Sequence, residues 1–97
     1  MDEFAIEVGA RAADGSLIPF QIYVGEPEPG ADGHGADCMV WCPLVDKPAR
    51  IKGETPRQAY SLAFDFIRMM VEYSNLSLED EQGRPFLLPS PPHEFEE

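Results

Sequence analysis

Two histidines and two cysteines are the side chains best suited to nucleophilic, acid–base or metal chemistry in this sequence, and none has the neighbours such work requires. His34 lies in the stretch GEPEPGADGHGAD from Gly25 to Asp37, near Asp32 and Asp37 and close to Cys38, a donor set with metal-ligand character. Glycines on both sides leave its imidazole without a rigid frame, so no metal is expected there. His93 precedes Glu94, but no second histidine follows one helical turn later, as a zinc-protease helix demands. Cys38 and Cys42, four apart on a strand, would share one face at about 13 Å, beyond disulfide reach, and read as reduced, buried thiols. The glycines of the 25–37 stretch open no helix and are followed by no lysine at phosphate-loop spacing. The carboxylates gather in loops and tail, where water keeps them ordinary acids. The residues therefore give no catalytic site, cofactor or metal, and the expectation is a protein that is not an enzyme.

Charge is more informative about partners. Eighteen acids against seven bases give a net charge of −11. Such a surface repels nucleic-acid backbones and anionic lipid, which excludes direct nucleic-acid binding, and it attracts a basic protein partner. No apolar run is long enough to span a membrane, and the acidic start Met1-Asp2-Glu3 does not resemble a secretory signal, so the expected location is the cytoplasm. Ninety-seven residues suit one domain, read here as 1–89, with the Pro/acid tail SPPHEFEE (90–97) expected to be disordered.

One segment, Thr55 to Leu76, carries a sustained helical period. Thr55 is an N-cap, Pro56 takes the first helical position, and Gln58 completes a capping box. At roughly 100° per residue, Arg57, Ser61, Asp65, Arg68 and Glu72 form one narrow polar stripe. Ala59, Ala63, Phe66, Met70 and Tyr73 lie opposite it; Leu62 and Met69 flank one side, and Tyr60, Phe64, Ile67 and Val71 the other. The resulting apolar arc of about 220° is roughly twice what one sheet face covers, so either loops and the C-terminal segment wrap the flanks or a partner chain docks there, and the expectation is a second copy. The expected homodimer or partner contacts are Met39, Trp41, Tyr60, Phe64, Met69 and Val71.

Before the helix, Phe4, Ile6, Val8 and Ala10 alternate with Ala5, Glu7, Gly9 and Arg11 as in a strand with one buried face. Asp14-Gly15 then signals a hairpin in which both central residues take positive φ, and Leu17–Val24 continues the alternation, with Pro19 marking an edge or bulge. The Gly25–Asp37 stretch has nothing apolar to bury and reads as an exposed loop. Cys38–Val45, apolar on both faces, is a third strand that is either covered twice or displays Met39 and Trp41. Ala49–Lys52 is a short fourth strand, and Phe86–Leu88 either adds a fifth or lies across the helix flank. The predicted fold is α+β: an antiparallel four-stranded meander packed on one long helix. Its predicted core is Ile6, Val8, Phe20, Ile22, Val40, Leu44, Leu62, Ala63, Phe66 and Met70.

Trp41-x-Pro43 with Cys42, Gly53-Glu54-Thr55-Pro56-Arg57-Gln58-Ala59 and Gly83-Arg84-Pro85-Phe86-Leu87 together resemble a family of small bacterial domains of unknown function. That resemblance implies an amino-terminal hairpin, a strand bearing an aromatic and a cysteine, and a Gly-acid helix start, and it brings no activity. Gly53, Glu54, Thr55 and Ala59 are also similar to the strand-to-helix junction of an antitoxin family, with Glu54 and Gln58 where that family has aspartate and glutamate. This second resemblance implies a toxin-neutralising role. The leading expectation is a small acidic, non-catalytic protein-binding module, immunity- or antitoxin-like. The alternative is a small enzyme or ligand-binding domain with a pocket between helix and sheet lined by Trp41, Tyr60 and Tyr73.

Overall fold

A computed structural model describes residues 2–30 and 33–89. The expected tail at 90–97, and Asp32 of the suggested metal set, lie outside them. The fold is α+β, an antiparallel six-stranded sheet with one helix across one face: β1 (Phe4–Arg11), β2 (Leu17–Val24), β3 (Glu28–Pro29), β4 (Ala36–Trp41), β5 (Ala49–Gly53), α1 (Pro56–Tyr73) and β6 (Ser77–Glu79). β5 pairs along residues 36–40 of β4, so β2 and β3, which pair with its two ends, must share the opposite edge. β1 lies between β2 and β6.

The β1–β2 hairpin closes differently from the predicted turn. Gly15 N–H donates to Ala12 O (2.9 Å) and Ala12 N–H to Ser16 O (2.8 Å), while Gly15 alone takes the left-handed conformation, φ 91°. This is a type I turn followed by a glycine bulge, which retains the strand twist with one positive φ instead of two. Asp14 caps it by accepting from Ser16 N–H and Oγ–H, and these bonds hold its carboxyl below the usual carboxylate range.

Three other boundaries depart from expectation. In place of an exposed loop, Glu28 and Pro29 pair antiparallel with Asp37 and Ala36, and Gly25, Gly30, Ala36 and Asp37 are buried. Backbone bonds drive this, including Gly25 N–H to Met39 O at 2.8 Å, and apolar content plays little part. The central strand accordingly starts at Ala36 and stops at Trp41, before Pro43, whose missing N–H ends the ladder. The strand beside β1 is Ser77–Glu79, which buries Leu78 between two polar residues, while Phe86–Leu88 lies against Leu78 and the helix flank, with Phe86 N–H donating to Leu78 O at 2.9 Å.

The helix begins as its sequence dictates. Thr55 Oγ1 accepts Gln58 N–H at 3.0 Å, and Gln58 Oε1 reaches back to Glu54 N–H, one residue before the cap. It ends in a Schellman motif: Asn75 sits at φ 59°, its N–H bonds Glu72 O, and Leu76 N–H bonds Val71 O. The core joins Phe20, Ile22, Val24, Cys38, Val40 and Cys42 of the sheet side to Ala59, Ala63, Phe64, Ile67 and Val71 of α1. Of the predicted core, Phe20, Ile22, Val40 and Ala63 are buried, and Ile6, Val8, Leu44, Leu62, Phe66 and Met70 are half-buried. The helix is rolled from its predicted setting. Its centre of burial is the Phe64/Ile67/Val71 line, and polar Ser61 is buried as well. The C-terminal run lies beside Arg68, Val71 and Glu72, anchored where Arg68 Nη2 donates to Pro89 O at 2.9 Å. Among the described residues no helix is long and apolar enough to cross a membrane.

Candidate functional site

The helix covers one side of the sheet and leaves the other open, and the strand alternation decides what that open face displays. Tyr23 of β2 stands directly opposite Trp41 of β4; Met39 and Asp37 of β4 stand opposite Arg50 and Lys52 of β5. Partners in register point to the same side. Because Val24, Cys38, Val40 and Cys42 fill the core, Tyr23, Asp37, Met39 and Trp41 must point away from the helix.

Two electrostatic regions flank this face. Asp37, its side chain 2% exposed, receives Arg50 Nη1 at 3.4 Å and Lys52 Nζ at 3.3 Å. Both cations remain mostly in water, so the pairs position side chains over a buried carboxylate while contributing little stability. On the other flank a shallow concavity of about 320 Å³ is lined by Glu3, Tyr23, Gly25, Glu26, Glu28 and Met39. Tyr23 Oη donates to Glu3 Oε1 at 3.4 Å. Loss of hydration raises the phenol above its ordinary value, and the charges of Glu3 and Glu26 add to the effect. Gly25 leaves room beside it: a Cβ there would stand 3.1 Å from Tyr23 Oη, so the ring would have to shift by a few tenths of an ångström. The arrangement has an aromatic and thioether floor with carboxylates at one rim; it suits recognition of cationic side chains and contains no group poised to transfer a proton.

The six residues expected at a contact surface are not brought together. Met39 and Trp41 are half-buried on the open sheet face, and Met69 is 63% exposed on the helix. Phe64 and Val71, by contrast, are 1% and 8% exposed inside the domain's own core and are unavailable to a partner. Tyr60 is half-buried above them, edge-on to Phe64 with ring centroids 5.2 Å apart and its hydroxyl donating to Asp2 O at 2.8 Å. The reason is the helix roll: a 220° arc does not say which part of it meets the sheet. Nor does a pocket join Trp41, Tyr60 and Tyr73, because Trp41 is on the far side of the sheet and Tyr73 is 91% exposed. Tyr23 was recognisable only as a member of the polar half of an alternating strand, and its pairing with Trp41 required the β2–β4 register.

His34 is exposed, and among the described residues no three His, Cys, Asp or Glu side chains gather as a metal site. Cys38 and Cys42 are free, buried thiols. Cys38 Sγ–H donates to Gly25 O at 3.2 Å, and burial pushes its pKa up to about 11. The thiolate is therefore scarce at neutral pH, and an aromatic disulfide reagent is expected to label neither cysteine until the chain unfolds. Since folding raises the Cys38 pKa from 9.0, its protonation supports the fold below pH 9, and that support should be lost as pH rises towards 11. Urea midpoints measured from pH 8 to 11 check this: a wild-type midpoint that falls no more steeply than that of a Cys38→Ala variant would contradict it.

Compared with family models, curated proteins and solved structures, the chain matches none.

Proposed function

We propose that this chain is a small acidic, non-catalytic binding module of the cytoplasm, immunity- or antitoxin-like in manner, that forms a homodimer and meets a basic protein partner. The observation that carries the reading is the uncovered sheet face: Tyr23, Met39 and Trp41 lie together, with Glu3, Glu26 and Glu28 at their rim, on a chain of net charge −11. Aromatic and methionine side chains are favoured at the centre of protein contacts, and carboxylates at the rim steer a cationic partner. The dimer rests on a different surface. Met69 and Tyr73 are exposed on the helix beside half-buried Leu62, Phe66 and Met70, a stripe that a two-fold copy would cover.

A pull-down at low and moderate salt, with the bound complex sized by light scattering, tests both parts. A basic protein is expected at low salt and less of it at moderate salt, because exposed charge pairs are screened within about 8–10 Å. The free protein should scatter at twice 10.8 kDa, and Met69→Glu should return it to a folded monomer. Recovery of only neutral or acidic proteins, independent of salt, would sink the partner reading. A wild-type monomer at micromolar concentration would sink the dimer.

A further inference from the structure

We infer that the outer edge of β1, from Phe4 to Val8, is a docking edge for an extended segment of a basic partner, which adds to the sheet as a further strand in line with β6. This rests on the basic-partner reading above and names the surface that would hold the partner's backbone.

Backbone groups of an antiparallel strand turn alternately to its two neighbours. Ala12 N–H donates across the hairpin to Ser16 O, and the register continues unbroken to Phe4↔Val24, so the even-numbered residues of β1 face β2 and the odd-numbered ones face outward. Phe86 N–H bonding to Leu78 O agrees, because Leu78, opposite Ala10, must then face away from β1. Of the outward residues, Arg11 and Gly9 meet Ser77 and Glu79 of β6. Ala5 and Glu7 meet no strand among the described residues, because the chain leaves β1 at Asp80 and turns back through Gly83. Each therefore offers one N–H and one C=O to an incoming strand.

Where the chain peels away it leaves a groove of about 310 Å³ along that edge, walled by Ile6, Glu7, Val8, Glu81, Arg84 and Phe86. Its charge selects the occupant. Arg11 is held by Glu79 through two bonds of 3.0 Å, and Arg84 by Asp80 at 3.1 Å, so both nearby cations are matched internally. Among the described residues Glu7 and Glu81 have no ion pair. A second copy placed there would add another chain of charge −11, whereas a basic segment is attracted. Alternation sets the rest of the recognition. Every other side chain of the added strand falls beside Ile6, Val8 and Phe86 and should be apolar, while the intervening ones fall beside Ala5 and Glu7 on the open face and should be Lys or Arg.

A capped heptapeptide alternating Val and Lys, titrated into the full chain at low salt, is the probe, with a Val/Glu alternation as control. The expected result is movement of the Ala5 and Glu7 amide resonances and slowed hydrogen exchange at both, with no response to the control. Ala5→Pro, which removes an outward N–H and leaves the β2 ladder intact, should weaken binding about tenfold or more. Should that variant fail to fold, Glu7→Lys keeps the test, because it should weaken the Lys peptide about tenfold without touching the backbone. Binding whose shifts fall on Tyr23, Met39 and Trp41 and spare Ala5 and Glu7 would overturn the edge assignment and leave the basic-partner reading standing. Amides of Ala5 and Glu7 that are protected in the free protein and lose protection on dilution would show a second copy on the edge and overturn it too. No response to the Lys peptide at millimolar concentration would overturn it whatever partner the pull-down recovers.

Discussion

Replacing Phe64 by alanine is expected to cost about 3–5 kcal/mol, a large share of the stability of a domain this size. Its ring is 1% exposed and is gripped edge-on from two sides, by Phe4 of β1 at 5.1 Å and Tyr60 at 5.2 Å. Truncation would remove the contact that ties the first strand to the helix, and the cavity would be ringed by other fixed core side chains. The sequence pattern alone assigns that role to Phe66, which is half-buried, so Phe66→Ala should cost less. Phe64→Glu, which the periodic arc suggests as a means of splitting a dimer, should instead unfold the monomer, because it would bury an unpaired charge. Urea titration of the two alanine variants decides the matter. A Phe64→Ala loss under about 1 kcal/mol, or one smaller than that of Phe66→Ala, would mean that the helix is rolled otherwise.

The second large effect is expected at Gly53, where the sheet turns into the helix. A Cβ on Gly53 would stand 2.5 Å from Ala59 N and 2.8 Å from Ala59 Cα, backbone atoms that no rotamer change can move aside. That first turn is pinned by the Thr55 cap and by Ala59 N–H bonding Thr55 O at 3.0 Å. On its other side Gly53 O is approached by Gly35, which has φ +64° and whose own Cβ would stand 2.5 Å from that oxygen. The beginning of β4, the end of β5 and the start of α1 thus stack through two glycines. Gly53→Ala should cost about 3 kcal/mol or more, because the backbone must part. Gly15→Ala is the control: φ is +91° there, but nothing lies within 4 Å, so about 1 kcal/mol of conformational strain is expected. Equal midpoints for the two variants in thermal melts would show that the close approach at Gly53 is not real.

The sequence by itself determined the local features. Alternation marks β1 and β2, and the Thr55-Pro56-Arg57-Gln58 cap fixes where the helix starts; both are written in contiguous residues, because strand pleat and helix capping depend on neighbours in the chain. The burial of Cys38, Val40 and Cys42 on one side of a central strand was legible for the same reason. Tertiary structure alone decided the rest. The apolar arc of α1 was wide enough to permit several rolls, and only packing against the sheet turns Phe64, Ile67 and Val71 inward, while the C-terminal run lies along the Arg68/Val71 flank. The pairing of Ser77–Glu79 with β1 joins backbone hydrogen bonds at an edge left open by the hairpin to the burial of Leu78 in the core, which a segment with only one apolar residue does not announce. Backbone pairing likewise sets Glu28 and Pro29 against β4. The open face was half visible: Met39 and Trp41 could be placed on one side of a strand, but Tyr23 joins them, with three carboxylates at the rim, only through the register of strands far apart in sequence. Register is a long-range property, because a shift of one residue turns every side chain to the other face, and nothing local in either strand fixes it.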